Sequence, residues 1–388
     1  MVERMNIESL NWGELSPELF LKEYWQKKPL LIKQAFKNFQ DTIPADELAG
    51  LAMEAEIESR IVSNDGHNNW QVDHGPFEDF SQYGEENWTL LVQAVNNWSR
   101  PTNALLAPFS FIPRWRIDDV MVSFSTPNGG VGAHLDQYDV FIVQGSGKRR
   151  WQVGAPNSEL STLLPHPDLK QVSEFEPLID EVTEAGDLLY IPPNHPHNGV
   201  SIENSVNFSI GFQAPSSQEL WSSFADKLID TNTGEERFGD ATRQITQDST
   251  LISQEDQLQL KAFMLAQINN SELFEQFVGQ YLTQSHHALE LLMPVTDIDN
   301  EKLNDILSEP EIQFMPVSGI KAAIINDQVP TLFINGDSFA IEESTLALAQ
   351  QLAKQSPLTT ARVKSFNICL KNSQLLTSVL NKGYWYIE

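Results

Sequence analysis

At 388 residues, 41% of them hydrophobic and 10% aromatic, the chain is long enough for two or three domains with at least one large core, and it has the composition of an ordinary globular protein. Its charge departs from the ordinary: 53 acidic against 25 basic residues give −28 at pH 7, a field that repels nucleic-acid phosphates and attracts basic partners, unless it serves solubility alone. The single cysteine excludes an intrachain disulfide framework, Met1 to Asn6 lack the apolar core of a signal peptide, and no run of about 18 apolar residues occurs, so a soluble, cytoplasmic protein that does not enter a membrane is expected.

In chain order, residues 10 to 60 read mainly as helix, with Leu21, Tyr24 and Trp25 at helical spacing ahead of Lys27-Lys28-Pro29, then a short strand from Leu30 to Lys33 and a second helical region from Ala45 to Met53. The segment from His67 to Glu86, carrying Asp73, His74, Glu78 and Asp79, reads as an exposed acidic loop or as part of a substrate mouth. Glu86 to Trp98 suggests a helix, because Trp88, Leu91, Val92 and Val95 fall on one side of it. From Arg114 the period changes to two. Val120, Val122 and Phe124 alternate with Met121, Ser123 and Ser125, a half-buried strand that suits a barrel wall. Ser123 and Ser125 are then placed either to hydrogen-bond a small carboxylate inside or merely to leave space there, and Ser125 is taken as the candidate for the carboxylate.

Thr126 to Gly130 turns the chain into the stretch Gly132 to Val143. In an extended strand His134 and Asp136 project to the same side, about 7 Å apart along the backbone. If His197 comes close in the fold, two imidazoles and one carboxylate face one side of a metal, the set that leaves positions open at a non-haem Fe(II). A structural zinc site would close all four positions, often with thiolates, and the one thiol, Cys369, is far off in sequence. Past this strand, Gly145-Ser146-Gly147 is a hairpin turn and Lys148-Arg149-Arg150-Trp151 begins the return. Neighbours on a strand point to opposite faces, so either Arg149 alone or the pair Lys148 and Arg150 faces inward. Residues 155 to 185 are a polar, acidic, partly extended connection. Gly186 to Pro193 is a short apolar strand leading to His195 and His197, and Ser205 to Phe212 is another barrel strand, with Asn207 and Ser209 on its polar face.

The pattern Gly-x5-Pro-x-Asn-x-x-His, from Gly186 through Pro192 and Asn194 to His197, resembles the second cupin motif, with Asn where that motif has Gly; Asn tolerates left-handed backbone better than most residues. That count favours His197 over His195 as the third ligand. The string His134 to Trp151 resembles the Jumonji-C 2-oxoglutarate oxygenases, and among them the bacterial ribosomal oxygenases that hydroxylate an arginine of a large-subunit ribosomal protein. Phe20 to Ile32 is similar to that group's opening segment, and the resemblance spans most of residues 10 to 215. It implies a double-stranded β-helix of α+β class, Fe(II) held by His134, Asp136 and His197, O2 and 2-oxoglutarate as co-substrates, and Arg149 as the cation for the far carboxylate of 2-oxoglutarate. It also implies a β-hydroxylated arginyl residue of a basic ribosomal protein as product, and a homodimer. Histidyl hydroxylation, N-methyl-lysine demethylation and a non-catalytic cupin-like scaffold are the alternatives.

After Ala214-Pro215, Ser216-Ser-Gln-Glu219 and Ser253-Gln-Glu-Asp256 read as capping boxes opening two helices, and a third runs from about Glu272 to Leu292. Beyond Pro294 come acidic spacers, strands at 321–326 and 331–337, helices at 344–354 and 375–381 and a last strand at 384–387, a mixture compatible with a winged helix. Residues 296–388 hold 7 Lys and Arg against 11 Asp and Glu, so no nucleic-acid contact is expected of them. The expected organisation is an oxygenase domain over 1–215, a helical dimerisation domain over 216–295 and a winged-helix-like domain over 296–388.

Overall fold

The computed structural model describes residues 10–66, 69–327, 329–366 and 368–388. Met1 to Asn6 and His67, which enter the signal-peptide and acidic-loop readings, lie outside that set. Two antiparallel sheets form the barrel. The larger has eight strands in the order Leu30–Ile32, Leu188–Ile191, Asp139–Gln144, Ser205–Phe212, Ile117–Ser125, Trp88–Val92, Ser59–Asn64 and Trp70–His74. The smaller pairs Arg149–Gly154 with Pro177–Thr183 on one side and His197–Ser201 on the other. His134 extends it by bridging to both His197 and Gln171, which brings in the hairpin of Thr162–His166 and Leu169–Val172.

The period-two pattern sets which faces meet. Val120 and Val122, with Val206, Phe208 and Ile210, point out of the barrel and are buried against the N-terminal elements. Met121, Ser123, Asn207 and Ser209 point inward and line a cavity. The outward core centres on Phe20, fully buried on the helix Pro17–Glu23, with ring centroids of Tyr190 at 4.9 Å and Phe141 at 5.4 Å. That helix starts where it does because Ser16 accepts a hydrogen bond from the Leu19 N–H and Pro17 occupies its first turn.

Several elements differ from the sequence reading. Residues 10–60 hold only two short helices, Pro17–Glu23 and Ala45–Leu51, and Trp70–His74, read as part of an exposed loop, is a strand paired with Ser59–Asn64. Trp88–Val92 is a strand, not part of a helix: all five residues are buried, and a short apolar run covered on both faces shows no period that separates strand from helix. Residues 155–185, read as a partly extended connection, contain three defined strands, Thr162–His166, Leu169–Val172 and Pro177–Thr183. The third C-terminal helix is Ser271–Thr283 and stops nine residues early, where Gln284 turns extended.

The other two helices of this region are Ser217–Asp230 and Gln254–Ile268, and both have the predicted capping boxes. The C-terminal part adds the helix Asn300–Ser308, the meander Ala322–Ile325, Thr331–Ile334 and Asp337–Ala340, and the helices Leu346–Lys354 and Leu370–Asn381 around a second core of Leu303, Phe314, Leu332, Leu352, Leu376 and Trp385.

Candidate metal centre

His134 and His197 are separated by most of the barrel in sequence, yet their backbones pair in both directions at 3.0 Å, and their rings lie 4.2 Å apart. Gly132, at φ +80°, allows the entry to this bridge; a Cβ there would run into the Gln171 side-chain amide. Asp136 completes the set. Its Oδ1 is 3.9 Å from His134 Nε2, its Oδ2 is 3.6 Å from His197 Nε2, and one donor atom from each residue falls within 4.8 Å of the other two. Asn194, at φ +60°, occupies the left-handed turn expected of it, and its N–H donates to the Asp136 carbonyl at 2.7 Å.

The tautomers suit a metal. His134 Nδ1 lies 3.0 Å from the Gly132 carbonyl and His197 Nδ1 3.0 Å from the His195 carbonyl. A carbonyl can only accept, so each Nδ1 carries the hydrogen and each Nε2 offers its lone pair toward Asp136. Burial, with the His134 charge adding to it, pushes the His197 imidazole down to about 4, so it is neutral at physiological pH. His195, the rival ligand, turns its Nδ1 to the Pro193 carbonyl at 3.1 Å and does not line the cavity.

These three residues open into a cavity of about 990 Å3 that also holds Arg149, Ser123 and Asn207. Of the three adjacent cations, Lys148 pairs with Glu184 at 2.6 Å and Arg150 forks onto Asp180 with both bonds at 2.6 Å, outside the barrel. Arg149 alone faces inward and is 4% exposed. Its Nη2 donates to the Gly199 carbonyl at 3.1 Å, and among the described residues its Nε has no partner. Burial lowers it to about 10, which leaves it charged. Asn207 is also buried, and both polar atoms of its amide lack partners among the described residues. A buried cation and a buried amide left unsatisfied are costly unless a ligand completes them, so the interior fits a small dicarboxylate beside a metal. Ser125 is fully buried, but its hydroxyl lies 2.9 Å from that of Thr89 and it does not line the cavity.

The sequence reading had not singled out Arg60, Asp118, Asp119, Tyr138, His286 and His287, which also line the cavity. One signal was present: Asp119 is in phase with Met121 and Ser123 on a strand already read as amphipathic. His286 and His287 arrive from residues far along the chain, which no local pattern announces.

A family model described as a JmjC domain matches residues 104–220, and one described as a ROXA-like winged helix matches residues 264–386. The ribosomal protein uL16 3-hydroxylase of Escherichia coli is 43% identical over 384 residues, 98% of each chain. The chain belongs to the JmjC ribosomal oxygenases. A probable ribosomal oxygenase of Haemophilus influenzae is 33% identical over 76% of this chain and 75% of that one. Among solved structures of this family, E. coli YcfD superposes with a TM-score of 0.90 at 41% identity, over 97% of this chain and 99% of that one. YcfD in complex with cobalt and 2-oxoglutarate superposes with a TM-score of 0.86 at 40% identity, over 98% and 99%. The JmjC barrel with a C-terminal winged helix, expected from the motifs, is the fold of this oxygenase.

Proposed function

We propose that the chain is an Fe(II)- and 2-oxoglutarate-dependent oxygenase that hydroxylates the β-carbon of an arginyl residue in ribosomal protein uL16. The observation that carries this reading is the convergence of His134, Asp136 and His197 with the unpaired, buried Arg149 in one cavity. In it, His134, Asp136 and His197 would hold the iron on one side, with the 2-oxo acid end of the co-substrate bound beside them. Arg149 takes the far carboxylate with its fork of N–H donors, and Ser125 braces that end of the pocket through Thr89. When bound, iron with 2-oxoglutarate and O2 supplies oxidation of an unactivated C–H bond to C–OH, with succinate and CO2 as the other products. The chain's part is to bind, orient and keep the site dry: Val140, Ile142 and Trp151 wall the cavity between the two sheets. The complex of YcfD with cobalt, a divalent ion of similar ligand preference, and 2-oxoglutarate supports the metal and co-substrate; the uL16 3-hydroxylase relative and a cavity lining that includes Glu58, Asp118 and Asp119 support a cationic side chain as substrate.

The same reading takes residues 1–215 as the oxygenase, 216–295 as a dimerisation region and 296–388 as a winged-helix module without nucleic-acid contacts, in a cytoplasmic homodimer. Supporting the dimer, the helix Gln254–Ile268 buries no residue and exposes Leu258, Leu260, Phe263 and Met264. No helix is long and apolar enough to cross a membrane among the described residues. The test is the intact mass of purified uL16 after incubation with the enzyme, Fe(II), 2-oxoglutarate and O2, with His134→Ala as control. A product heavier by one oxygen on one arginine supports the reading; the same product from the variant, or oxygen on a histidine instead, overturns it.

A further inference from the structure

Two adjacent carboxylates, Asp118 and Asp119, line the cavity, and residues from outside the barrel treat them differently. Asp118 receives Lys321 Nζ at 2.9 Å and His286 Nδ1 at 3.2 Å. Burial alone would raise its pKa, but the His286 hydrogen bond and the Lys321 charge override that and hold it well below the usual carboxylate range. Asp119 has no such cation in contact. Its Oδ2 accepts the Ala94 N–H at 2.8 Å and lies 3.8 Å from His287 Nε2, and burial raises its pKa. It shares the inward phase of Met121 and Ser123; Asp118 also lines the cavity, with donor atoms of Asp118, Asp119 and His287 within 4.8 Å of one another, while reaching Lys321 and His286 of the C-terminal part.

The three partners are held by a strap. Thr283 Oγ1 accepts the Gly336 N–H at 3.1 Å and Asn335 Oδ1 accepts the Ser285 N–H at 3.1 Å, which ties the segment carrying His286 and His287 to the winged helix. On the barrel side Asn97 donates to the Ala288 carbonyl at 2.8 Å. Lys321 itself directly precedes the Ala322–Ile325 strand, and its side chain is only 10% exposed. A lysine so placed is more than a tether between domains, because it cancels one of two adjacent charges in the opening through which a cationic side chain would pass.

Resting on the reading above that the substrate side chain is cationic, we propose that Lys321 is a positioning residue for the substrate. By occupying Asp118 it leaves Asp119 as the single carboxylate that receives the incoming guanidinium, and so sets how far the target carbon reaches toward His134, Asp136 and His197. Without Lys321, Asp118 keeps only the His286 hydrogen bond and becomes a second, misplaced docking point one residue away, about 3.3 Å along the strand.

The experiment uses the full-length enzyme with Fe(II) and an arginine-containing peptide from uL16, and follows peptide hydroxylation and succinate release together. Lys321→Met is expected to raise KM for the peptide about tenfold, the scale of a contacting charged pair, and to raise succinate released per hydroxylation, with KM for 2-oxoglutarate unchanged. Asp118→Asn placed on top of Lys321→Met is expected to restore the peptide KM, because the stray carboxylate is gone, and Lys321→Arg is expected to stay near wild type. An unchanged peptide KM in Lys321→Met overturns the proposal, and so does a raised KM that Asp118→Asn fails to restore, since the lysine is then structural. If the wild-type enzyme releases succinate but hydroxylates no arginine peptide, the substrate reading itself fails and takes this one with it, an outcome distinct from the variant pattern.

Discussion

Replacing Arg149 by Met should weaken co-substrate binding strongly while leaving the stability of the ligand-free protein nearly unchanged. In the absence of 2-oxoglutarate the guanidinium is a buried charge whose one side-chain hydrogen bond goes to the Gly199 carbonyl, with the Trp151 ring 5.0 Å beneath it. Removing an uncompensated buried charge is neutral to stabilising, and leaving the Gly199 carbonyl without its donor costs about 1 kcal/mol, so the ligand-free protein should change by no more than about 1 kcal/mol. With 2-oxoglutarate bound, the same residue would form a desolvated, forked pair with a carboxylate. Truncating one partner of such a pair costs about 3 kcal/mol, which at 1.4 kcal/mol per decade is roughly a hundredfold in KM for 2-oxoglutarate. Arg149→Lys keeps the charge and loses the fork, so it should fall between the two. The assay is succinate release against 2-oxoglutarate concentration, paired with thermal denaturation of the ligand-free proteins. A KM within threefold of wild type, together with a clear loss of ligand-free stability, would refute the assignment and make Arg149 a structural residue.

Asp136→Ala should abolish tight Co(II) binding by calorimetry while the far-UV circular dichroism stays native, because the His134–His197 backbone pair does not depend on that side chain; retained stoichiometric binding would remove Asp136 from the site. Gly199→Ala should raise KM for 2-oxoglutarate with little effect on metal affinity, since its Cβ would lie 2.7 Å from the Trp151 ring and 2.9 Å from Arg149 Nε; an unchanged KM would mean the guanidinium yields freely. In the metal-free enzyme His197 binds its proton less readily when folded, at about 4, than when unfolded, near 6.5. The unfolded state therefore holds more protons in that window, and stability present above pH about 6.5 should be lost as the pH falls toward 4, by about 3 kcal/mol; a metal-free melting curve that is flat there in wild type, and no flatter in His197→Gln, would contradict it. Phe20→Ala should cost about 3–5 kcal/mol by chemical denaturation, the core site being fully buried among Tyr24, Trp25, Phe111, Phe141 and Tyr190; a loss below about 1 kcal/mol would show that the N-terminal layer is not part of the barrel's core.

Much of the barrel and its centre was legible in the sequence because both follow short-range rules. Alternation in Ile117–Ser125 and Ser205–Phe212 marked which side chains turn inward, and the Gly-to-His spacing distinguished His197 from His195. The triplet Lys148-Arg149-Arg150 could be narrowed to two options by strand alternation alone, and the structure chooses Arg149 because Glu184 and Asp180 take its neighbours outside. What was not legible depends on distant pairing. Trp88–Val92 is a strand only because Ser59–Asn64 and Ile117–Ser125 flank it, and its own residues carry no period to say so. Asp118 and Asp119 look equivalent until Lys321 and His286 arrive from the far end of the chain. Ser125 has the right phase, yet its hydroxyl is turned to Thr89, a cross-strand neighbour in the register that no local window contains.

The reciprocal main-chain bridge between His134 and His197 also bears on how such an enzyme lives with a fluctuating iron supply. Where metal ligands are gathered only by the metal, loss of the ion is loss of the fold, and the empty protein goes to proteases. Here two of the three donors are fastened to each other by the peptide backbone. Emptying the site therefore leaves an intact barrel whose occupancy follows free iron by simple mass action. In an iron-poor cell such an enzyme would persist idle and resume work when iron returns, without new synthesis.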